Sequence, residues 1–170
     1  MIVISDSTPL ILLSKINRID ILHLLFDYIV IPPLVHKEVF ISINGKSDMH
    51  QILMPYWVMI DTIEDYKLVV DLKKKFRRIS QADAEVIILA KEKQADFILS
   101  DDRELHKQAK LVLKKTDVLY TGAVLIFAKQ EGIIDNVKDL LDEMREKGAW
   151  IGGNIYDSIL LRAGEMEKTL

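Results

Sequence analysis

"ILSDDREL", Ile98 to Leu105, runs from apolar to acidic to helical within eight residues. With the preceding Phe97 it forms a short, continuously apolar run that stops at Ser100, as a strand buried on both faces does. Arg103 to Leu113 then has helical apolar spacing, and two adjacent carboxylates, Asp101 and Asp102, mark the junction. Like charges repel, so the pair needs a purpose beyond capping one helix.

The same grammar recurs outward from this stretch. "IVIS" (2–5) halts at Asp6, and Thr8-Pro9 reads as an N-cap with proline at the first helical position. Two helices follow with a break near Asn17. "DYIVIPP" is a strand closed by prolines, which cannot continue a ladder. Leu34 to Ile43 reads as a helix and "YWVMID" as a peripheral strand. Asp65 to Phe76 and Gln81 to Lys93 are helical. "DVLY" is a last strand, with helices from about Thr121 and Asp135 and a helical tail at "YDSILLRAGE". Apolar strands alternating with helices predict a three-layer α/β/α fold: a central parallel sheet with helices on both faces, as a single domain over 1–170. Ligands in such folds bind outside the carboxyl ends of the strands.

Composition narrows the chemistry. At 49% hydrophobic and 29% charged residues, the chain has enough apolar material for a globular core. With no cysteine, disulfides, thiolate catalysis and cysteine-bound zinc are excluded. No apolar run is long enough to span a bilayer, and "MIVISDSTPLILLSK" lacks a signal-peptide pattern, so a cytoplasmic location without membrane association is expected. A net charge of −3 gives no global attraction to nucleic acid, and any such binding needs a local basic surface.

Each acid has an ordinary explanation. Asp6 could accept amides of the following turn, and Glu38 could be a solvated helix residue. In "SQADAE", Ser80 and Asp83 fit a capping box. Asp101 fits an N-cap, with Glu104 three residues on. Together they are harder to dismiss, because a doubly wound sheet gathers strand ends and helix starts on one edge. Carboxylates converging there repel unless a cation neutralises them. Oxygen donors without cysteine or paired histidines suit a hard cation, Mg²⁺ or Mn²⁺, and one or two such ions can assist phosphodiester cleavage.

The ordered set "ISDSTPLI", "PPLVHKEV", "SQADAEVIILA" and "ILSDDREL" resembles the PIN-domain family, and "GAWIGGNIYDSILLRAGE" its VapC-like prokaryotic branch. The resemblance covers nearly the whole chain. It implies a metal-dependent endoribonuclease acting on RNA, often a homodimer and the toxin of a toxin–antitoxin pair with a small antitoxin protein. Carried over by position, it implies that Asp6, Glu38 and Asp83 are catalytic metal ligands. The fourth acid is Asp101 or Asp102, with Asp101 preferred as nearer the strand end. Ser7 and Ser100 occupy places where the family often has a hydroxyl that orients a carboxylate or water. Glu85 lies two residues, or about 200°, around the helix from Asp83 and is expected in a supporting role.

"KKKFRR", with Lys73, Lys74, Lys75, Arg77 and Arg78, is the densest basic run. It is either a solvated helix end or an RNA-contacting strip, and Lys107 begins a second basic face. His23, His36, His50 and His106 show no metal-ligand spacing. Trp57 and Trp150 read as core or interface, and Glu165 as part of a solvated tail. Two other functions compete: a catalytically silent PIN-like scaffold or partner-binding module, and a haloacid-dehalogenase-like phosphatase. The phosphatase pattern needs a second acid two residues after the first, where this chain has Thr8.

Overall fold

The computed structural model describes residues 1–44 and 55–167, with the backbone alone for 42–44; His50 lies outside the described residues. The elements run β1 (Val3–Ser5), α1 (Ser7–Lys15), α2 (Asp20–Phe26), β2 (Ile29–Ile31), α3 (Pro33–Asn44), β3 (Val58–Ile60) and α4 (Tyr66–Lys75). There follow α5 (Gln81–Glu92), β4 (Phe97–Leu99), α6 (Arg103–Val112), β5 (Asp117–Leu119), α7 (Thr121–Gln130), α8 (Lys138–Glu146) and α9 (Gly153–Arg162). All five strands are parallel, in the order β3-β2-β1-β4-β5. The expected α/β/α architecture is therefore present.

That strand order fixes where a site can form. From β1 the chain builds through β2 to β3, then crosses to β4 on the other side of β1 and ends at β5. Right-handed crossovers in opposite directions put helices on both faces. They also leave a crevice at the carboxyl ends of β1 and β4, where the chain direction switches. The ladder runs right up to this edge: Asp6 N–H donates to Leu99 O (2.8 Å) and Ser100 N–H to Leu119 O (3.0 Å). Asp6 and Ser100 thus emerge side by side from neighbouring strands.

Beneath the edge lies a continuous apolar core. Val3, Ile4, Ile29, Ile31, Ile98 and Leu99 from the strands are buried with Leu10, Leu13, Ile87 and Leu89 from the helices. Residues 82 to 90 of α5 are buried on every side, because α5 packs against β1, α3, α4 and α6 together. A helix enclosed in this way holds its side chains in fixed directions, and α5 carries both Asp83 and Glu85.

Two local expectations are corrected. The cap of α1 is Asp6, not Thr8: its carboxylate accepts from Ser7 N–H, so the helix starts earlier. Pro9 then falls within the first turn, where its missing N–H is no loss. The cap of α6 is Asp102, not Asp101, because Asp102 accepts from Leu105 N–H (2.8 Å). The break at Asn17 is present, with that residue at φ 53°. Helix α9 closes tightly on α7: a Cβ built on Gly122 would lie 2.5 Å from Ile159 Cδ1, so only glycine allows this approach without a shift.

Candidate active site

Asp6 stands at the switch point and is only 5% exposed. Its Oδ1 accepts from Ser7 N–H (2.6 Å), and its Oδ2 accepts from Ser100 Oγ–H (3.1 Å). Ser100 Oγ in turn accepts from Asp102 N–H (3.1 Å). The two serines therefore orient the Asp6 carboxylate from both sides. Burial pushes the Asp6 carboxyl up to about 6 from 3.8. The Ser7 amide and Ser100 hydroxyl oppose that rise, while the nearby charges of Asp83 and Glu38 add to it. The charges of Asp83 and Glu38 are thus felt at Asp6.

Asp83 completes the capping box: Ser80 Oγ accepts from Asp83 N–H (3.0 Å), and Asp83 Oδ2 accepts from Ser80 N–H (2.5 Å). The capping bond engages only Oδ2. Glu38, one turn into α3, is exposed, and its charge adds to the rise at Asp6.

The adjacent aspartates divide their work. Asp101 turns to the amino end of α7, accepting from Thr121 N–H at Oδ1 (2.8 Å) and from Thr121 Oγ1–H at Oδ2 (2.5 Å). Burial raises its carboxyl above the usual carboxylate range, against the pull of the Thr121 bonds and of His106. Asp102 is exposed and caps α6 with Oδ1 alone. Asp102 is tied to Ser100, the residue bonded to Asp6, through its own N–H. His106 donates from Nε2 to Ser100 O (2.7 Å) and stacks on Tyr120 at 3.7 Å between centroids, which braces the triplet from below.

Glu85 points away from Asp83, as the helical rotation requires, and is 3% exposed. Its Oε2 accepts from Leu34 N–H (3.1 Å) and its Oε1 from Tyr66 Oη–H (2.8 Å). The sequence signalled its direction but not its partners.

The basic run is split. Lys73 turns inward, donating from Nζ to Ile79 O (2.5 Å) and Arg77 O (3.2 Å), and so staples the end of α4. Lys74, Lys75, Arg77 and Arg78 are exposed, the arginines two and three residues before the Ser80 cap. Lys107 is exposed on α6. Trp57 is buried with His23 stacked on it, but Trp150 is 89% exposed and is no part of the core. Glu165 is not a solvated tail residue; it is 11% exposed and receives three hydrogen bonds. Of the final apolar residues, Leu160 is buried, Ile159 packs on Gly122 and Ile155 is exposed.

The donors at the crevice are all hard oxygens, and a hard divalent cation offsets both the burial and the neighbouring charge that disfavour an ionised Asp6, so they fit Mg²⁺ or Mn²⁺ in kind. Among the described residues, no three His, Asp or Glu side chains already stand close enough to form a metal cage. Also among the described residues, no helix is long and apolar enough to cross a membrane.

A five-stranded parallel sheet with helices on both faces, its Asp6 at the β1/β4 switch point, defines the three-layer α/β/α class of folds that bind ligands outside the carboxyl ends of their strands. The chain belongs to the PIN-domain family: the DUF3368 family model, described as a PIN domain, matches residues 2–165. PIN domains are generally nucleases and typically use divalent metals. Neither the curated proteins nor the solved structures give a match to this chain.

Proposed function

We propose that this protein is a Mg²⁺- or Mn²⁺-dependent endoribonuclease whose ion ligands are Asp6, Glu38, Asp83 and Asp102. The observation that carries the proposal is the buried Asp6 carboxylate at the β1/β4 switch point, oriented by Ser7 N–H and Ser100 Oγ–H in a chain that matches the PIN-domain family over residues 2–165. The fourth position goes to Asp102, because both oxygens of Asp101 already bind Thr121 whereas Asp102 commits one. One or two ions held there would supply Lewis-acid polarisation of the phosphate and a more acidic water. Ser7 and Ser100 fix the orientation of Asp6. Exposed Arg77 and Arg78, beside the amino end of α5, and Lys107 on α6 offer phosphate contacts for RNA.

A role as the toxin of a toxin–antitoxin pair, working as a homodimer in the cytoplasm, belongs to the same proposal and rests on the VapC-like pattern of the tail. The exposed Trp150 and Ile155 provide apolar surface for a second copy or a small antitoxin. One observation favours the silent scaffold instead: among the described residues the carboxylates do not form a closed cage.

RNA cleavage in Mg²⁺ or Mn²⁺, with and without chelator, separates the two. Chelator-sensitive cleavage supports the nuclease. An inactive protein with no metal-induced rise in Tm supports the scaffold. Asp102→Asn is expected to lose about 10²–10³-fold in cleavage with its fold intact. Asp101→Ala is expected to keep cleaving and to lose about 1–2 kcal/mol of stability, as a helix cap does. The reverse pattern returns the fourth position to Asp101.

A further inference from the structure

We infer that Glu85 is the positioning residue that sets where Glu38 stands relative to Asp6 and Asp83; this rests on the nuclease reading above. The argument begins with the prolines that open α3. Pro33 has no N–H, so Leu34 carries the first amide of the helix, and that amide goes to Glu85 Oε2 at 3.1 Å. A buried carboxylate on the first N–H of a twelve-residue helix also faces the positive end of its dipole. Glu38 sits one turn further along the same helix. Moving the amino end of α3 therefore moves Glu38.

The anchor itself is held from a third helix. Tyr66 Oη on α4 donates to Glu85 Oε1 at 2.8 Å and accepts from Gln81 Nε2 at 2.9 Å. Glu85 shares α5 with Asp83, two residues away on the opposite side. One enclosed helix thus presents Asp83 directly and fixes Glu38 through α3, so the spacing of two acids on separate helices is set by a single rigid element. Glu85 touches no reacting group on this account. It acts through Glu38.

Glu92 provides the control, because it tethers a helix from the same α5 without touching α3. Its carboxylate accepts from Glu64 N–H (3.0 Å) and Asp65 N–H (3.1 Å) at the start of α4. The experiment measures Mn²⁺ affinity by calorimetry, and RNA cleavage against Mn²⁺ concentration, well below each variant's Tm. Glu85→Ala is expected to weaken Mn²⁺ binding roughly 10–100-fold, the usual effect of losing a residue that orients a ligand. Its cleavage should recover towards the wild-type level at saturating Mn²⁺. Glu85→Gln keeps an acceptor for Leu34 N–H and should restore most of the affinity. Glu92→Ala should lower Tm and leave Mn²⁺ affinity unchanged.

Wild-type Mn²⁺ affinity in a folded Glu85→Ala overturns the inference, as does an equal loss of affinity in Glu92→Ala. Should Glu85→Ala not fold, Tyr66→Phe releases one carboxylate oxygen; weaker Mn²⁺ binding at unchanged RNA affinity then supports the inference, and unchanged Mn²⁺ binding overturns it. A wild-type protein that neither binds Mn²⁺ nor cuts RNA overturns the nuclease reading itself, and this inference with it.

Discussion

Asp6→Asn is expected to abolish RNA cleavage and, at the same time, to stabilise the metal-free protein at neutral and alkaline pH. The sign follows from the direction of the shift. An unfolded aspartate releases its proton near 3.8, but the folded carboxyl holds it until about 6. The folded state therefore binds the proton more tightly. Asp6 lowers stability progressively as pH rises from about 4 to about 6, and the full penalty persists above that range. A shift of this size corresponds to about 3 kcal/mol as an upper figure. Asparagine keeps the shape and an acceptor for Ser7 N–H, while its amide donates to Ser100 Oγ in place of the present bond. Urea denaturation without metal should show the variant more stable at pH 8 and equal to wild type near pH 4. Added Mn²⁺ should raise Tm in the wild type and not in the variant. A variant that still cuts RNA would sink the catalytic assignment of Asp6. One less stable than wild type at pH 8 would show that burial and repulsion do not dominate there.

The second large effect lies far from the crevice. Glu165→Ala is expected to destabilise the protein by about 3 kcal/mol, because several charge-assisted bonds disappear at once. Glu165 Oε1 accepts from Lys129 Nζ (2.8 Å) and Val137 N–H (2.6 Å), and Oε2 accepts from Lys138 N–H (2.8 Å). Val137 itself provides no side-chain cap for α8; Asn136 Oδ1 accepts from Asp139 N–H (3.0 Å), and Glu165 takes the Val137 and Lys138 amides from beyond the end of α9. Desolvation works to raise the Glu165 carboxyl, but Lys129 and the two amides outweigh it and hold the group below its ordinary value. Its contribution is therefore complete above the ordinary glutamate range and is lost as pH falls through the lowered folded value. The difference in Tm between wild type and Glu165→Ala should shrink on acidification below pH 4. A Tm within a degree or two of wild type at pH 7 would show that solvent replaces these bonds.

These two residues also show what a sequence discloses. Asp6 was legible because a short apolar strand ending in an acid is a local pattern, repeated at Ser100 to Asp102. The Ser80–Asp83 box was legible for the same reason: its two bonds join residues three apart. Glu165 was not legible. Its amide partner Val137 lies 28 residues earlier, and nothing near Glu165 distinguishes it from a solvated glutamate. The Thr8-Pro9 pattern points to a cap too late in the chain, because a proline is equally compatible with a place in the first turn later than N1. Apolar neighbours in the chain mark Trp150 as core or interface, and its exposure removes only the core alternative, because burial depends on neighbours in space.

The sequence by itself determined the order and type of the elements, the parallel α/β/α class, the set of candidate acids and the absence of thiol chemistry. Strand periodicity, caps and composition are properties of a few adjacent residues, and they survive without knowledge of the rest. Only the tertiary structure decided which backbone amides and hydroxyls each carboxylate holds. Ser100 reaches Asp6 across 94 residues because β4 lies beside β1, and Glu85 reaches Leu34 across 51 because α5 is enclosed against α3. The same is true of the adjacent pair in "ILSDDREL". Asp101 goes to α7 and Asp102 to α6 because packing brings the amino end of α7 beside the start of α6. Direction in space is set by packing between distant segments, and no local pattern carries it.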